Sequence, residues 1–429
     1  MEKTAVTCVS WLPRGACSGR LLPPTGLGGL GVAAEGEEEA NRALVNRGVP
    51  GLEEFDMENY DDEGEDGMQL FSVLDADAEL ARERDPYMTG DPNSDSDEEG
   101  EVEIRKEDHV FVAASCEEDC CNLELYVFEE DEGNMYVHHD ISLAAYPLCV
   151  EWISASSKDA GCYAAVGSID HSIQLWNLEE TDPLEPAQVL SAAKKPKAKG
   201  KARKKRANAH EAPVLCLHVS SFNPSALASG SADETLKVWD VAAGTCAHTF
   251  QHHSDKVQCV RWHPTEQAVL LTAAFDKKVG LLDVRQPKQA ALAPLVGEAE
   301  SAAWSQHNGF HCYASTDNGG VCCFDVRKVA SKAENQVLWT LMAHDVACTS
   351  VQDAPVPDLL VTAGLDGHAK VWNLAGGGPQ MVLSKNLQAG PIFTCQANAD
   401  MPGLMCFGGK CPVMWDLSSE RLLQDVFRF

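Results

Sequence analysis

The sequence predicts an all-β chain, a seven-bladed β-propeller carrying a long disordered acidic insertion. Three observations predict it. A unit made of a turn aspartate, a short strand and an aromatic residue followed by Asp or Asn recurs along the chain. The runs between turn residues are four to six residues long and are alternating or continuously apolar, which is the habit of short strands and not of helices. Finally, much of the acidic excess is gathered in one segment that lacks this strand pattern. With 429 residues, 44% of them apolar, the chain is long enough for a large closed β-domain with insertions.

Asp170 leads to Trp176-Asn177, Asp233 to Trp239-Asp240 and Asp276 to Leu282-Asp283. Asp317 leads to Phe324-Asp325, Asp366 to Trp372-Asn373, and Gly408-Gly409 to Trp415-Asp416. The steps between the aromatic positions are 63, 43, 42, 48 and 43 residues. Six registered copies do not set the size of the ring. Upstream, Val110–Ser115 and Leu123–Phe128 read as second and third strands, and Met135–His139 as a fourth, of a blade that has no first strand nearby. First strands elsewhere end in Trp, as in Leu148–Trp152 and Val257–Trp262, and the N-terminal Val6–Trp11 has the same form. Residues 4–12 are therefore expected to supply the first strand of blade 1, residues 13–108 to be the acidic insertion, and residues 109–429 to form the blades. At the far end, Arg421–Phe427 is expected to be the outer strand of the last blade.

A 40–45-residue repeat closing on Trp-Asp resembles the WD40 family over most of residues 109–429. In that family a His ahead of a blade's first strand, a Ser or Thr on the second, the turn Asp and the Trp form a hydrogen-bonded chain. The resemblance assigns that role to His210, Ser229, Asp233 and Trp239, and to His344, Thr362, Asp366 and Trp372. Read alone, Ser, His and Asp suggest a catalytic triad, but a pattern that recurs from blade to blade is structural. Other blades depart from it: Leu282 and Phe324 replace Trp, Val166 replaces the hydroxyl residue, and Lys410 stands where Asp is expected. These blades are expected to rest on apolar packing.

The formal net charge is −31, and residues 35–108 hold 27 acidic against 6 basic residues. This composition cannot bury enough apolar surface to offset its ordering entropy, so disorder is expected. The segment reads as a solubilising spacer or as an acidic surface for basic partners. Ser94 and Ser96, set among carboxylates, fit an acidophilic kinase. The opposite charge lies at 191–208, a loop insertion holding Lys194, Lys195, Lys197, Lys199, Lys201, Arg203, Lys204, Lys205 and Arg206. Such density reads as a nuclear localisation signal, with weak contact to phosphate backbones as a second role. No aromatic residue interleaves it, so base stacking is not indicated. In the WD40 topology the two insertions leave opposite faces of the ring.

Several classes are set aside. No charged n-region and apolar h-region open the chain, and no apolar run approaches the ~20 residues of a membrane helix. Seventeen cysteines lack paired metal-ligand spacing, and Cys216, Cys259, Cys322, Cys323 and Cys395 lie in strand-like runs where Cys acts as a small hydrophobe. Free thiols in this number suit a reducing compartment. No phosphate-cradling loop, zincin motif or nucleophile elbow is present, so neither an enzyme nor a cofactor is expected. Within the WD40 family the chain is similar to a nucleolar ribosome-biogenesis group, on Val6–Trp11, Tyr136–Asp140, Ala145–Leu148, the basic insertion and Asp255–Gln258. That similarity implies a nuclear and nucleolar scaffold in ribosomal RNA production and ribosome assembly. The implied partners are pre-ribosomal proteins and chromatin or histones, with the chain a monomer inside larger assemblies. The alternative is a substrate receptor of a cullin-type ubiquitin ligase, for which Arg285 and Arg327, in Leu-Asp-Val-Arg and Phe-Asp-Val-Arg, would contact the ligase adaptor.

Overall fold

The computed structural model describes residues 5–17, 104–117, 120–130, 132–154, 161–180, 183–190, 209–286 and 289–429. Their strands form seven antiparallel sheets, six of four strands and one of three, in chain order within each sheet. The chain is a seven-bladed β-propeller. Strands packed between blades are buried at every position, as in Leu359–Ala363, whereas the outer strand Val337–Met342 alternates. Each apolar cluster bridges neighbouring blades: Cys149, Ile173 and Leu190 of blade 2 pack with Val214, Leu227 and Trp239 of blade 3.

In blade 1, Ala5–Trp11 is the innermost strand and pairs antiparallel with His109–Glu117, which is followed by Cys120–Glu129 and Asn134–Leu143. The ring closes here without a covalent link. The Val6 amide donates to the Gly409 carbonyl of blade 7 at 2.7 Å, and the Trp11 indole to the Gln396 carbonyl at 3.3 Å.

The inner strands share two devices. Register shifts fall just ahead of Cys8, Cys149, Cys259 and Ser301. The thiols reach the next blade, Cys149 to the Val214 carbonyl (3.6 Å), Cys216 to Val257 (3.8 Å) and Cys259 to Ala302 (3.5 Å). Space for them comes from missing side chains: a Cβ at Gly167 or Gly230 would lie 2.5 or 2.6 Å from the Cys149 or Cys216 sulfur. The second device is the closing tryptophan. Trp262 donates back to the His218 carbonyl of blade 3 (3.1 Å) and Trp304 to Arg261 of blade 4 (3.2 Å). None of the seventeen cysteines, all within the described residues, forms a disulfide.

Blade 7 corrects one expectation. It has only Thr394–Ala397, Leu404–Gly408 and Pro412–Asp416. The segment expected to add an outer strand instead contains a short helix, Arg421–Gln424. The apolar spacing there is helical: Leu423 and Phe427, four apart, are both buried in the cluster with Leu417 and Trp415. Glu420 anchors the turn, accepting from the Trp415 indole (3.0 Å) and from Lys385 (2.6 Å).

Antiparallel order places the turns between second and third strands on the same face as the connections between blades, and the other turns on the opposite face. The inner strand of blade 1 ends at Trp11, and the outer strand of blade 2 ends at Leu190. The chain thus leaves for residues 18–103 and for 191–208 from opposite faces. For clarity, the face with the inter-blade connections is termed the connecting face.

Candidate functional site

On the connecting face, three blades carry the same hydrogen-bonded network. In blade 3 the Trp239 indole donates to Ser229 Oγ (2.8 Å), Ser229 Oγ lies 2.7 Å from His210 Nε2, and His210 Nδ1 lies 3.0 Å from Asp233 Oδ2. Donor accounting orients the chain: Nδ1–H donates to the carboxylate, leaving Nε2 to accept from the serine. Burial holds His210 below its ordinary pKa against the pull of Asp233. For Asp233, burial pushes the carboxyl up, but His210, Thr235 and the Glu211 amide outweigh it and hold the group ionised. Blade 6 repeats the set, with Trp372 to Thr362 Oγ1 (3.0 Å), His344 Nε2 to the same oxygen (3.0 Å) and His344 Nδ1 to Asp366 (2.9 Å). Ser229 and Thr362 are fully buried, and each oxygen already receives an indole N–H. Neither is presented to a substrate.

Sequence reading missed the third network, because Leu282 occupies the Trp position. In blade 4, His253 lies 3.1 Å from Asp276 and 2.8 Å from Thr272 Oγ1. The place of the indole is taken by His252, whose Nε2 is 3.0 Å from the same oxygen. Burial, then neighbouring His253, lower His252 to a pKa of about 4. Its Nδ1 is buried without a hydrogen-bond partner. The doublet His252-His253 ahead of a first strand was the available signal. Where the Ser/Thr position is apolar, packing replaces the network: Phe111 stacks on Tyr126 (4.9 Å between ring centroids, 7° between planes), and Phe407 lies 6.1 Å from Trp415. In blade 5, Asn318 and not Asp317 holds the turn. Its Oδ1 accepts from the Gly320 amide (3.1 Å), while Asp317 accepts from the Glu298 amide (2.9 Å).

The inner strands line a channel of about 360 Å³. Glu151, Arg261 and Glu300 project along it from blades 2, 4 and 5. Burial raises Glu151 to about 7, opposed by Arg261 and by the Val219 amide. His218 is held neutral by burial and by Arg261, and its Nδ1 accepts the Trp262 amide (3.1 Å). Burial, reinforced by Asp317 and Glu298, raises Glu300. None of these channel charges was singled out from sequence, because an ionisable residue within an apolar strand does not reveal which way it points.

On the opposite face, Arg285 and Arg327 stand in consecutive blades, each folded onto the aspartate two residues earlier, at 2.8 Å from Asp283 and 2.9 Å from Asp325. Both guanidiniums are exposed, and Arg327 lies over the Phe310 ring at 4.4 Å. The basic residues from Lys194 to Arg206, and Ser94 and Ser96, lie outside the described residues, as does most of the acidic insertion. Among the described residues, no group of three His, Cys, Asp or Glu is placed to hold a metal, and no helix is long and apolar enough to cross a membrane.

The family model for the WD domain, G-beta repeat, matches residues 203–240, 244–283 and 335–373. These stretches carry the third strands of blades 3, 4 and 6, the three blades with a histidine network. The chain is 35% identical to a WD repeat-containing protein of Schizosaccharomyces pombe, over 88% of this chain and 75% of that one. It is 29% identical to periodic tryptophan protein 1 of Saccharomyces cerevisiae, over 88% and 77%. A U3 small nucleolar RNA-associated protein 15 of Schizosaccharomyces pombe is 26% identical over 46% of this chain and 38% of its own. Among solved structures, a chain of a mitotic checkpoint complex superposes with a TM-score of 0.53 at 17% identity, covering 71% of this chain and 83% of that chain, a likeness of fold alone. With the repeat, the ring and these similarities, the chain belongs to the WD40-repeat family.

Proposed function

We propose that the chain is a non-catalytic docking scaffold of the nucleus and nucleolus that supports ribosomal RNA production and ribosome assembly. The observation that carries the scaffold reading is that the serine, threonine, histidine and aspartate groups resembling a catalytic site are consumed in hydrogen bonds within blades 3, 4 and 6. What remains accessible is loop surface on two faces of a rigid ring. The nucleolar assignment rests on similarity to periodic tryptophan protein 1 and to a U3 small nucleolar RNA-associated protein. Lys194–Arg206 supplies an import signal and Ser94 and Ser96 phosphorylation sites. Its partners are pre-ribosomal proteins, with histones a further class.

The test is affinity purification of the tagged full chain from nuclei, with and without ribonuclease, read by mass spectrometry and RNA sequencing. Precursor ribosomal RNA with assembly proteins is the expected yield. Histones or ligase adaptors without ribosomal precursors would refute the assignment. Exposed Arg285 and Arg327 on one face of consecutive blades keep the ligase-receptor reading testable in the same experiment, by adaptor loss on substituting both. Deleting residues 194–206 is expected to leave the protein cytoplasmic, and unchanged nuclear accumulation would remove the import role.

A further inference from the structure

On the connecting face, four exposed apolar side chains stand on adjacent turns and connections across blades 5 to 7. Val296, Val346, Leu365 and Phe393 are 56%, 43%, 41% and 41% exposed. Backbone contacts set these segments side by side. The Gly319-Gly320 turn lies between Val296 and Val346, with the Gly320 Cβ direction 3.5 Å from Val296 Cγ2 and Gly319 against the Val346 carbonyl. The Leu365 amide donates to the Ala347 carbonyl (3.1 Å), and the Ile392 amide, next to Phe393, to the Gly364 carbonyl (3.3 Å). Phe393 also stands at the channel mouth, which Glu300 lines.

The strip is edged by carboxylates. Glu298 and Asp317 flank its blade 5 end, exposed Asp345 adjoins Val346, and Glu300 lies just inside the mouth. No described cation lies within ion-pair distance of Glu300. Four carboxylates outnumber the cations beside the strip. Lys277, whose carbonyl accepts the Leu295 amide at 2.8 Å, stands at the Val296 end and Lys410 at the far end against Gly390, Lys370 Nζ is held by the Ala343 carbonyl at 2.7 Å, and burial keeps His344 below its ordinary pKa in its own network. An exposed apolar strip edged mainly by carboxylates is the form of a protein-docking surface and not of a solvated loop face.

We infer that this strip docks an extended peptide segment of a protein partner, one that alternates apolar with lysine or arginine residues, its basic side chains meeting Glu298, Glu300 and Asp317. The occupant follows from charge complementarity. Apolar residues cover Val346 and Leu365, and a cation satisfies Glu300, which burial and two neighbouring carboxylates otherwise push toward its neutral form. A nucleic acid would bring phosphates against the same carboxylates and is disfavoured. The inference rests on the scaffold reading and names the chemistry of one partner.

The experiment measures fluorescence anisotropy of a labelled twelve-residue peptide of alternating lysine and leucine with the full chain. Wild-type binding is expected to weaken about tenfold in the double variant Val346→Ser, Leu365→Ser, and several-fold in Glu300→Gln. A peptide with glutamate in place of lysine should bind at least about tenfold more weakly. All three substituted positions are exposed or half-buried, and matching circular dichroism melts confirm intact folds. Equal binding by wild type and double variant would overturn the inference and assign the peptide to the acidic segment. No binding to wild type would overturn it outright. Binding that appears only after residues 194–206 are deleted would give the surface to the chain's own basic segment and equally refute a partner there. If the double variant still recovers precursor ribosomal RNA from nuclei while the peptide test fails, only the surface is lost. If wild type recovers none, the scaffold reading itself falls.

Discussion

Thr362→Val in blade 6 isolates the contribution of one hydroxyl to the propeller. The substitution keeps shape and removes the single oxygen that receives the Trp372 indole and meets His344 Nε2, each at 3.0 Å. All three side chains are buried, with 0% exposure for Thr362, 2% for His344 and 5% for Trp372, so water cannot replace the lost partner. Each buried polar group left unsatisfied costs about 1–3 kcal/mol. Two such groups set a range of about 2–6 kcal/mol, and the added methyl offsets part of it, so the expected loss is about 3 kcal/mol. The triple variant His344→Leu, Thr362→Val, Trp372→Phe should lose less than the sum of its three single variants. It removes donors and acceptors together, and blade 7 already carries an apolar residue, Phe407, at the equivalent position. Urea unfolding followed by circular dichroism, with slopes compared to confirm a common transition, reads both quantities. A Thr362→Val variant within about 0.5 kcal/mol of wild type, or a triple variant equal to the sum, would refute the account of the networks as coupled units.

Three further outcomes are expected. His252, with a pKa near 4 in the fold and near 6.5 unfolded, favours the unfolded chain's extra proton between those values. Its contribution is therefore complete above about pH 6.5 and is lost as pH falls toward 4, by at most about 3 kcal/mol. His252→Leu should flatten the stability–pH profile in that window by about one proton, and an unchanged slope would contradict the assignment. Gly319→Ala should destabilise by more than about 2 kcal/mol in the same unfolding assay, because φ is +83° and a Cβ would run into the His344 and Val346 carbonyls. Replacing Arg285 and Arg327 together by Ala should leave the urea midpoint unchanged, since both guanidiniums are exposed and each pairs with the aspartate two residues earlier. A measurable drop would show that they brace the ring.

The repeat was legible because strand period, turn aspartate and closing aromatic recur in register, and the ring closure because Val6–Trp11 repeats the form of Val257–Trp262. The outer strand expected at Arg421–Phe427 failed for a physical reason. Over so short a run, apolar residues at 423 and 427 fit a helical turn as readily as one face of a strand, and the anchoring of Glu420 by Trp415 and Lys385 decides between them. The blade 4 network stayed hidden because the motif was read through tryptophan. What the fold requires at that position is a buried donor near Thr272, and a histidine from a different part of the chain supplies it. In blade 5 the turn residue was read one place early, since Asp317 and Asn318 both suit a turn and only the position of the Gly320 amide separates them.

The inner strands carry the least legible information and the most consequential. Cys149, Cys216 and Cys259 look like small apolar residues in a strand. Their common work appears only when the carbonyl of the next blade is seen beside each sulfur, with a second-strand glycine making room for Cys149 and Cys216. Those contacts set how closely neighbouring blades approach, and so they fix the bore into which Glu151, Arg261 and Glu300 project. A ring held by small groups at the bore and by indole donors at the strand ends has little freedom to rearrange around a ligand. Recognition on such a scaffold must be preformed in loops and in side chains at the channel mouth. The connecting face meets that requirement in its apolar strip and its unpaired carboxylate, both positioned by a backbone that the tryptophan and cysteine contacts hold in place.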